Sequence, residues 1–166
     1  MAWKNQERRK KYQREWNSKN KDKVYARVKR YKERHPERVK AFLERYKKTP
    51  QYIYNFLKEN SKRRSQPILL SRQEFVDWYN KQDKKCFYCG VLEKKMPEVV
   101  RRSYWKNRKL SKRLTIDRMD NKKGYAVDNI VLACPRCNGV KSDFFTVNEM
   151  KKIGKEIIQQ KWKKEL

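Results

Sequence analysis

A chain of 166 residues with a net charge of +28, from 47 Lys and Arg against 19 Asp and Glu, has too little apolar sequence for a large core. Its 40% charged residues compare with about 25% in an average globular domain, which leaves room for one domain and an appendage. This charge opposes compaction unless the partner is a polyanion, and nucleic acid is the expected one. The alternative is a charged surface that only keeps the protein in solution.

Two further classes are disfavoured by the sequence. No apolar stretch approaches the roughly 20 residues that cross a bilayer, and the opening residues, MAWKNQERRKK, lack the apolar core of a signal peptide. We therefore expect an intracellular protein without a membrane partner. The four cysteines form two Cys-x-x-Cys pairs, which in a reducing compartment are typical of metal ligands and not of disulfides.

Residues 1–48 form a basic, repetitive arm. Similar residues recur there every 15 positions, as in Trp16, Tyr31 and Tyr46. Fifteen residues are close to four helical turns, so repeated positions fall near one face of a helix. Helices are predicted at about 21–34, capped by Asn20, and at about 36–48, opening on Pro36. Each has too few apolar residues to bury a core by itself.

The arm concentrates the positive charge of the chain. Residues 1–65 contain 23 basic and 7 acidic residues, a net +16. This pattern indicates an arm that follows the phosphate backbone of DNA, with its Tyr and Trp side chains packing locally or against sugar and base. The alternative is a set of solvated helices that pack on the core.

Residues 49–82 are predicted to be a helical linker or support. One helix is expected at about 50–62 and a second at about 72–81, where Ser71 and Glu74 match a capping box. The apolar positions expected to face inward are Tyr52, Ile53, Phe56 and Leu57 in the first helix and Phe75, Trp78 and Tyr79 in the second.

Residues 83–166 hold both cysteine pairs, Cys86/Cys89 and Cys134/Cys137. Each pair presents two thiolates toward one tetrahedral ion, typically Zn²⁺. Four thiolates leave no open position for water, so the site is predicted to be structural, and in so small a core it would supply much of the folding free energy. The alternatives are another metal, a redox role or free thiols.

The segment 101–113 is strongly basic and also contains aromatic residues. It is predicted to be a second element that contacts DNA, and the alternative is a basic surface loop. The residues predicted to contact DNA are Arg101, Arg102, Tyr104, Trp105, Lys106 and Arg108, together with Lys141 further along the chain.

A strand–turn–strand–helix pattern lies between the two cysteine pairs. Residues 114–116 are strand-like and end at Asp117, 130–133 form a second strand, and a short helix then carries Asn138. Asp117 and Asn138 are oxygen donors that could hold a hard cation such as Mg²⁺. Such an ion can stabilise the pentavalent phosphorane and the leaving 3′ oxygen of a phosphodiester.

A capping box at Thr146 and Glu149 predicts a closing helix at about 147–163. Its predicted inward residues are Met150, Ile153, Ile157 and Ile158.

Four short motifs carry a resemblance to a known family. They are C-x-Y-C-G at 86–90, I-D-R-M-D-N-K-K-G-Y at 116–125, D-N-I-V-L-A-C at 128–134 and C-N-G-V-K-S-D at 137–143. This segment resembles the HNH (His-Me finger, ββα-metal) endonucleases, and in particular their four-cysteine, zinc-bearing branch of phage and homing-type nucleases. The resemblance implies an α+β fold, with a small zinc-bound core flanked by helices and a basic helical arm.

The resemblance also implies a function. The expected activity is metal-dependent hydrolysis of phosphodiester bonds in double-stranded DNA, as nicking or double-strand cleavage, by a monomer or a homodimer. A homing role in the cytoplasm or nucleoid of a bacterial or phage-infected cell goes with this branch, although no residue indicates homing. The rival interpretation is a zinc-stabilised nucleic-acid-binding or regulatory protein that does no chemistry.

Site residues follow by position in the motifs. Asp117 and Asn138 match the family's ligands for a catalytic Mg²⁺ or Mn²⁺, and Asn129 matches the asparagine that braces the loop holding the general base. The residues that match its zinc ligands are Cys86, Cys89, Cys134 and Cys137.

One position departs from the family. The general base of these enzymes is a histidine directly after the first metal-binding carboxylate, and Arg118 stands there. An arginine is a poor base at neutral pH but a good phosphate clamp. Either Asp120 or Tyr125 activates water, or Arg118 orients the phosphate while metal-bound water or hydroxide attacks, or catalysis has been lost.

Overall fold

A computed structural model describes residues 2–96, 100–101, 108–109 and 113–165. The chain divides into two compact units, Met1–Thr49 and Pro50–Leu166. Helices predominate and the strands are short, so the predicted α+β class is confirmed. Among the described residues, no helix combines the length and the apolar character needed to cross a membrane.

The first unit consists of α1 (Ala2–Lys19), α2 (Lys21–Arg34) and α3 (Pro36–Tyr46). Pro36 occupies the first turn of α3, as predicted. Asn20 does not cap α2, because its backbone is not in the extended conformation of an N-cap and its Nδ2 instead donates back to the Trp16 carbonyl at 2.9 Å. None of the side chains described for residues 5–49 is buried, so these helices have no core of their own.

The second unit contains the remaining elements. Its helices are α4 (Pro50–Arg63), α5 (Arg72–Lys81), α6 (Pro135–Lys141), α7 (Val147–Ile153) and α8 (Gln159–Glu165), with a short 3-10 helix at Glu93–Lys95 and a π-helical segment at Gly154–Ile158 between α7 and α8. Its strands are β1 (Val100–Arg101), β2 (Arg108–Lys109), β3 (Thr115–Arg118) and β4 (Ile130–Ala133). Both predicted capping boxes, at Ser71 and at Thr146, are formed.

Strands β3 and β4 form the antiparallel hairpin that the sequence predicts. Thr115 pairs with Ala133 and Arg118 with Ile130, so β3 runs one residue beyond Asp117. Every residue of β4 is buried. A strand covered on both faces requires neighbours on both sides. Besides β3, one neighbour of β4 is the turn of the first cysteine pair, where the Phe87 N–H donates to the Leu132 carbonyl at 2.8 Å. β1 and β2 pair separately as a second two-stranded antiparallel sheet.

The core of the second unit confirms most, but not all, of the predicted inward positions. The predicted inward position is wrong for Phe56 and Ile157, which are 55% and 52% exposed. In α4 the inward position is taken by Tyr54, whose hydroxyl donates to the Leu70 carbonyl at 3.1 Å. At the C-terminus the π-helical segment adds a residue to one turn, which rotates Ile157 outward and brings Trp162 into the core.

The π-helical segment lies directly against the first cysteine pair. A Cβ added at Gly154 would come within 2.6 Å of the Tyr88 carbonyl oxygen and 2.7 Å of its carbon. These are backbone atoms, so they cannot yield as a flexible side chain does. Only glycine permits this approach of the C-terminal helix to residues 86–89.

We expect Gly154→Ala to destabilise the second unit by about 1–3 kcal/mol, because the new methyl group overpacks a rigid contact. The measurement is the urea midpoint followed by circular dichroism. Gly139→Ala is the matched control, since it also lies in a helix but has open space where its Cβ would be. The control should be neutral, or more stable by up to about 1 kcal/mol. Equal midpoints for the two variants would contradict the prediction.

Candidate functional site

The four cysteines form one buried cluster. Each is at most 1% exposed, and the sulfur atoms all lie within 4.8 Å of one another. The Sγ atoms of Cys89 and Cys134 are 3.8 Å apart. Around a tetrahedral zinc with bonds of about 2.3 Å, two sulfurs are separated by about 3.8 Å. The arrangement therefore fits a structural zinc site without an open coordination position.

Local backbone geometry prepares both cysteine pairs. Gly90 adopts φ +72°, which lets its N–H donate to the Cys86 carbonyl at 2.9 Å. In the second pair, the Cys137 N–H donates to the Cys134 sulfur at 3.3 Å as α6 begins. Contacts among the four sulfurs couple the thiols, so that they lower the pKa of Cys86 and raise the pKa of Cys137.

A cavity of about 420 Å³ opens beside the hairpin. Most of its wall is polar, and it includes the two residues predicted to hold a catalytic metal, Asp117 and Asn138. The described residues that line it are Arg64, Gln66, Ile116, Asp117, Arg118, Asn121, Tyr125, Asn138, Gly139, Ser142 and Asp143.

Asp117 lies on β3 and is only 6% exposed. Its Oδ2 accepts a hydrogen bond from the Tyr88 hydroxyl at 2.6 Å and lies 3.5 Å from the Lys141 ammonium. Burial raises the pKa of Asp117 above its ordinary value, and the contacts with Tyr88 and Lys141 act in the opposite direction. The pKa of Tyr88 is raised by burial and by its bond to Asp117, so its hydroxyl stays a proton donor.

Asn138 lies on α6, which packs against β3. Its Nδ2 donates to the Thr115 hydroxyl at 2.9 Å. This bond assigns the amide NH₂ group, which leaves the carbonyl oxygen as the atom with which Asn138 can bind a cation. Asp117 and Asn138 thus offer hard oxygen donors to one cavity, as Mg²⁺ or Mn²⁺ requires.

Arg118, in the position of the missing histidine, lines the cavity but is partly held by the protein. Its Nη1 donates to the carbonyls of Asn121 and Lys123 at 3.0 and 2.9 Å, and its guanidinium lies 5.2 Å from the centre of the Tyr125 ring. These contacts give Arg118 a part in shaping the turn after β3. A guanidinium offers only hydrogen-bond donors, so Arg118 does not replace the histidine as a base.

Asn129 is buried and makes three side-chain hydrogen bonds within the loop that joins β3 to β4. Its Oδ1 accepts from the Asp120 N–H at 2.9 Å, and its Nδ2 donates to the carbonyls of Asp120 and Gly124 at 3.0 and 2.9 Å. Such contacts hold the loop in one shape, which is the geometry that a bracing residue needs.

The two predicted general bases are placed differently. Tyr125 lines the cavity, and its hydroxyl donates to Gln66 Oε1 at 3.3 Å. Asp120 is not among the described residues of the cavity wall, and its Oδ1 accepts from the Lys122 N–H at 2.9 Å. Asp143, which is not among the predicted site residues, is an exposed carboxylate on the wall. Its only signal was its place at the end of the last motif.

The predicted DNA contacts fall largely outside the described residues. This holds for Arg102, Tyr104, Trp105 and Lys106. Arg101 and Arg108 belong to the paired strands β1 and β2. Lys141, predicted to contact DNA, is instead fully buried, because its ammonium bonds the Arg118 carbonyl at 2.8 Å and faces Asp117.

Comparisons with known proteins agree with this geometry. No protein-family model and no curated protein matches the sequence. Among solved structures, the chain is similar to the rare-cutting HNH restriction endonuclease PacI, with 28% identity and a TM-score of 0.58. The similarity covers 69% of this chain and 79% of that one. The resemblance inferred from the sequence motifs is thereby confirmed: this chain has the fold of an HNH endonuclease, with a four-cysteine cluster that fits a zinc-binding HNH nuclease.

Proposed function

We propose that this chain is a metal-dependent DNA endonuclease that hydrolyses phosphodiester bonds. The observation that carries the proposal is the convergence of Asp117 and Asn138 on one polar cavity, at the hairpin and helix of a fold shared with an HNH restriction endonuclease. The substrate of such an enzyme is DNA, which agrees with the intracellular location expected from the sequence.

Two kinds of metal have separate roles in this proposal. Cys86, Cys89, Cys134 and Cys137 would hold a Zn²⁺ that stabilises the fold, and four thiolate ligands would leave it no position for a catalytic water. Mg²⁺ or Mn²⁺ held by Asp117 and Asn138 would supply Lewis-acid stabilisation of the phosphate and of the leaving oxygen. The described donors fit both ions, because sulfur suits zinc and carboxylate or amide oxygen suits magnesium.

The residues of the chain supply position and charge around the reacting phosphate. Arg118 and Arg64 line the cavity as cations, and a guanidinium is well suited to phosphate oxygens. Asn129 keeps the loop between β3 and β4 in place. Of the two predicted bases, Tyr125 lines the cavity and Asp120 does not. The exposed carboxylate of Asp143 also lines it and is proposed as a third candidate base.

A second function has its own support. A zinc-stabilised DNA-binding protein that does no chemistry is favoured by Arg118, which replaces the usual base, and by the net charge of +28. The presence of Asp117 and Asn138 argues against a purely DNA-binding function, because a protein that only binds DNA does not need two hard-metal ligands in one cavity.

Plasmid cleavage separates the two functions. Supercoiled plasmid is incubated with the zinc-loaded protein and Mg²⁺, Mn²⁺ or no added divalent cation. A nuclease converts the plasmid to nicked or linear DNA only with added metal, and end-labelling gives 5′-phosphate and 3′-hydroxyl ends. Salt-sensitive binding without cleavage in any metal would instead establish the binding function.

The basic arm, residues 1–48, is proposed to bind the DNA backbone. Its helices carry a large excess of Lys and Arg, and none of its described side chains is buried. A charged helical segment without a core exposes its Lys and Arg side chains, which can contact phosphates along the duplex. Exposed aromatic residues such as Tyr25 and Phe42 can pack against sugars.

Deleting residues 1–48 is expected to weaken DNA binding by about tenfold or more near 0.1 M salt, and to reduce the slope of log affinity against log salt by about 0.9 per lost phosphate contact. Fluorescence anisotropy over a salt series measures both. Zinc content and the unfolding midpoint should not change. A full-length variant with the seven basic residues of α2 replaced by Gln separates charge from length. Unchanged affinity at every salt concentration would contradict a DNA-binding arm.

A further inference from the structure

One contact links the cysteine cluster to the candidate catalytic cavity. Tyr88, between two of the predicted zinc ligands, donates its hydroxyl to Asp117 Oδ2, and Lys141 approaches the same oxygen. We propose that Tyr88 and Lys141 are positioning residues that orient the Asp117 carboxylate for a divalent cation. The inference rests on the proposed function and names residues that the family motifs do not assign to it.

The first step concerns Asp117 itself. A buried carboxylate without hydrogen-bond donors destabilises the folded state, because its charge loses its hydration. Tyr88 donates at 2.6 Å and Lys141 stands at 3.5 Å, so the charge is compensated from one side. Both contacts engage Oδ2, and the backbone of Arg118 also bonds the carboxylate. Oδ1 makes neither of the two side-chain contacts, so it can offer a lone pair to a cation. These contacts also restrict rotation of the carboxylate about its χ2 angle.

The second step concerns what holds Tyr88. The ring is 1% exposed and is flanked in sequence by Cys86 and Cys89, whose sulfurs belong to the cluster. The Phe87 N–H donates to the Leu132 carbonyl at 2.8 Å, which ties this turn to β4. Gly154 packs on the Tyr88 backbone from the other side. The position of the Tyr88 hydroxyl is therefore set by the cysteine cluster and not by a mobile loop.

The third step concerns Lys141, which lies three residues after Asn138 on α6. Its ammonium donates to the Arg118 carbonyl at 2.8 Å and to Asn121 Oδ1 at 3.4 Å while facing Asp117. A fully buried lysine with these partners joins the helix that carries Asn138 to the strand that carries Asp117. The two predicted metal ligands are thus held relative to each other by one side chain.

The test uses full-length, zinc-loaded protein and Tyr88→Phe, which keeps the ring and removes only the hydroxyl. Loss of a hydrogen-bond partner of a metal ligand typically costs about 10–100-fold in metal affinity or activity. We expect Mn²⁺ affinity, measured by titration followed by electron paramagnetic resonance, to fall in that range. In cleavage assays kcat should fall while KM for DNA stays constant, because Tyr88 is buried and is not among the described residues that line the cavity.

Tyr54→Phe is the matched control. It also removes one hydroxyl hydrogen bond of a buried tyrosine, to the Leu70 carbonyl, but away from the cavity. Both variants should keep their zinc and their affinity for DNA without metal. Lys141→Met and Lys141→Gln test the second contact to Asp117 in the same way. If Tyr88→Phe loses zinc, the Lys141 variants decide whether Asp117 is positioned by its neighbours.

The outcomes separate this inference from the proposed function. Wild-type protein that cleaves DNA and binds Mn²⁺ at Asp117, with Tyr88→Phe and the Lys141 variants equal to Tyr54→Phe within about twofold, overturns the positioning role alone. If Asp117→Asn binds Mn²⁺ as tightly as the wild-type protein does, both the positioning role and the proposed function are overturned. A selective loss of Mn²⁺ affinity and kcat in Tyr88→Phe supports the inference.

Discussion

Asp117→Asn is expected to reduce DNA cleavage by at least about a thousandfold, which corresponds to about 4 kcal/mol of transition-state stabilisation. The substitution keeps the size of the side chain and can still accept the Tyr88 hydrogen bond. It removes the negative charge that a divalent cation needs, and loss of that cation removes its stabilisation of the phosphate and the leaving oxygen. The measurement is single-turnover cleavage of a labelled duplex with saturating Mg²⁺ or Mn²⁺.

Asp128→Asn is the control for that experiment. Asp128 is exposed in the turn before β4, so the same change of charge occurs in the loop that follows β3 and outside the cavity wall. Its cleavage rate should stay within about twofold of wild type, as is usual for a surface substitution. Zinc content and circular dichroism show whether Asp117→Asn remains folded. Cleavage by folded Asp117→Asn within tenfold of the wild-type rate would exclude Asp117 as the essential metal ligand.

Removing zinc is expected to unfold the second unit. Structural zinc contributes about 10–16 kcal/mol of apparent binding free energy in small zinc-dependent peptides. That amount equals or exceeds the total stability of about 5–15 kcal/mol typical of a folded domain. The cysteines lie at the centre of the core, where Cys134 and Cys137 begin α6 and Cys86 and Cys89 carry Tyr88.

The measurement is tryptophan fluorescence and near-ultraviolet circular dichroism during chelation, with zinc release followed by a colorimetric indicator. Loss of the near-ultraviolet signal should accompany zinc release, and added Zn²⁺ should restore it. Mg²⁺ is the control ion, because thiolates bind it poorly. Cys86→Ser should reproduce the unfolded state without a chelator. A metal-free chain that still unfolds cooperatively at the wild-type midpoint would contradict the structural role.

Local patterns in the sequence were sufficient for most elements of the fold. The capping boxes at Ser71 and Thr146 and the proline at the start of α3 each act within one turn of chain, so their residues alone predict helix starts. The cysteine spacing predicted the cluster, because two residues between thiolates match one tetrahedral ion. The pattern failed at Asn20, whose side chain bonds the Trp16 carbonyl one turn back instead of capping α2, and at Ile157, where the helix departs from α geometry.

The sequence was sufficient to propose metal ligands for the candidate site, but not the residues that contact those ligands. Asp117, Asn129 and Asn138 could be recognised because their motifs are short and contiguous. Tyr88 contacts Asp117 across 29 positions of sequence, and no local rule predicts such a pair. The assignment of Lys141 to DNA followed from its charge, whereas its burial follows from packing between α6 and the turn after β3.

The sequence by itself determined the cysteine cluster, the hairpin and helix that follow it, the basic arm and the absence of a histidine next to Asp117. These features depend on residue type and short spacing, which act before any tertiary contact forms. Only the tertiary structure decided that Asp117 is held by Tyr88 from the cysteine pair, that Lys141 is internal, and that Tyr125 and Asp143 face the cavity. Those outcomes depend on which distant segments pack together, because burial and hydrogen-bond partners are properties of the assembled core.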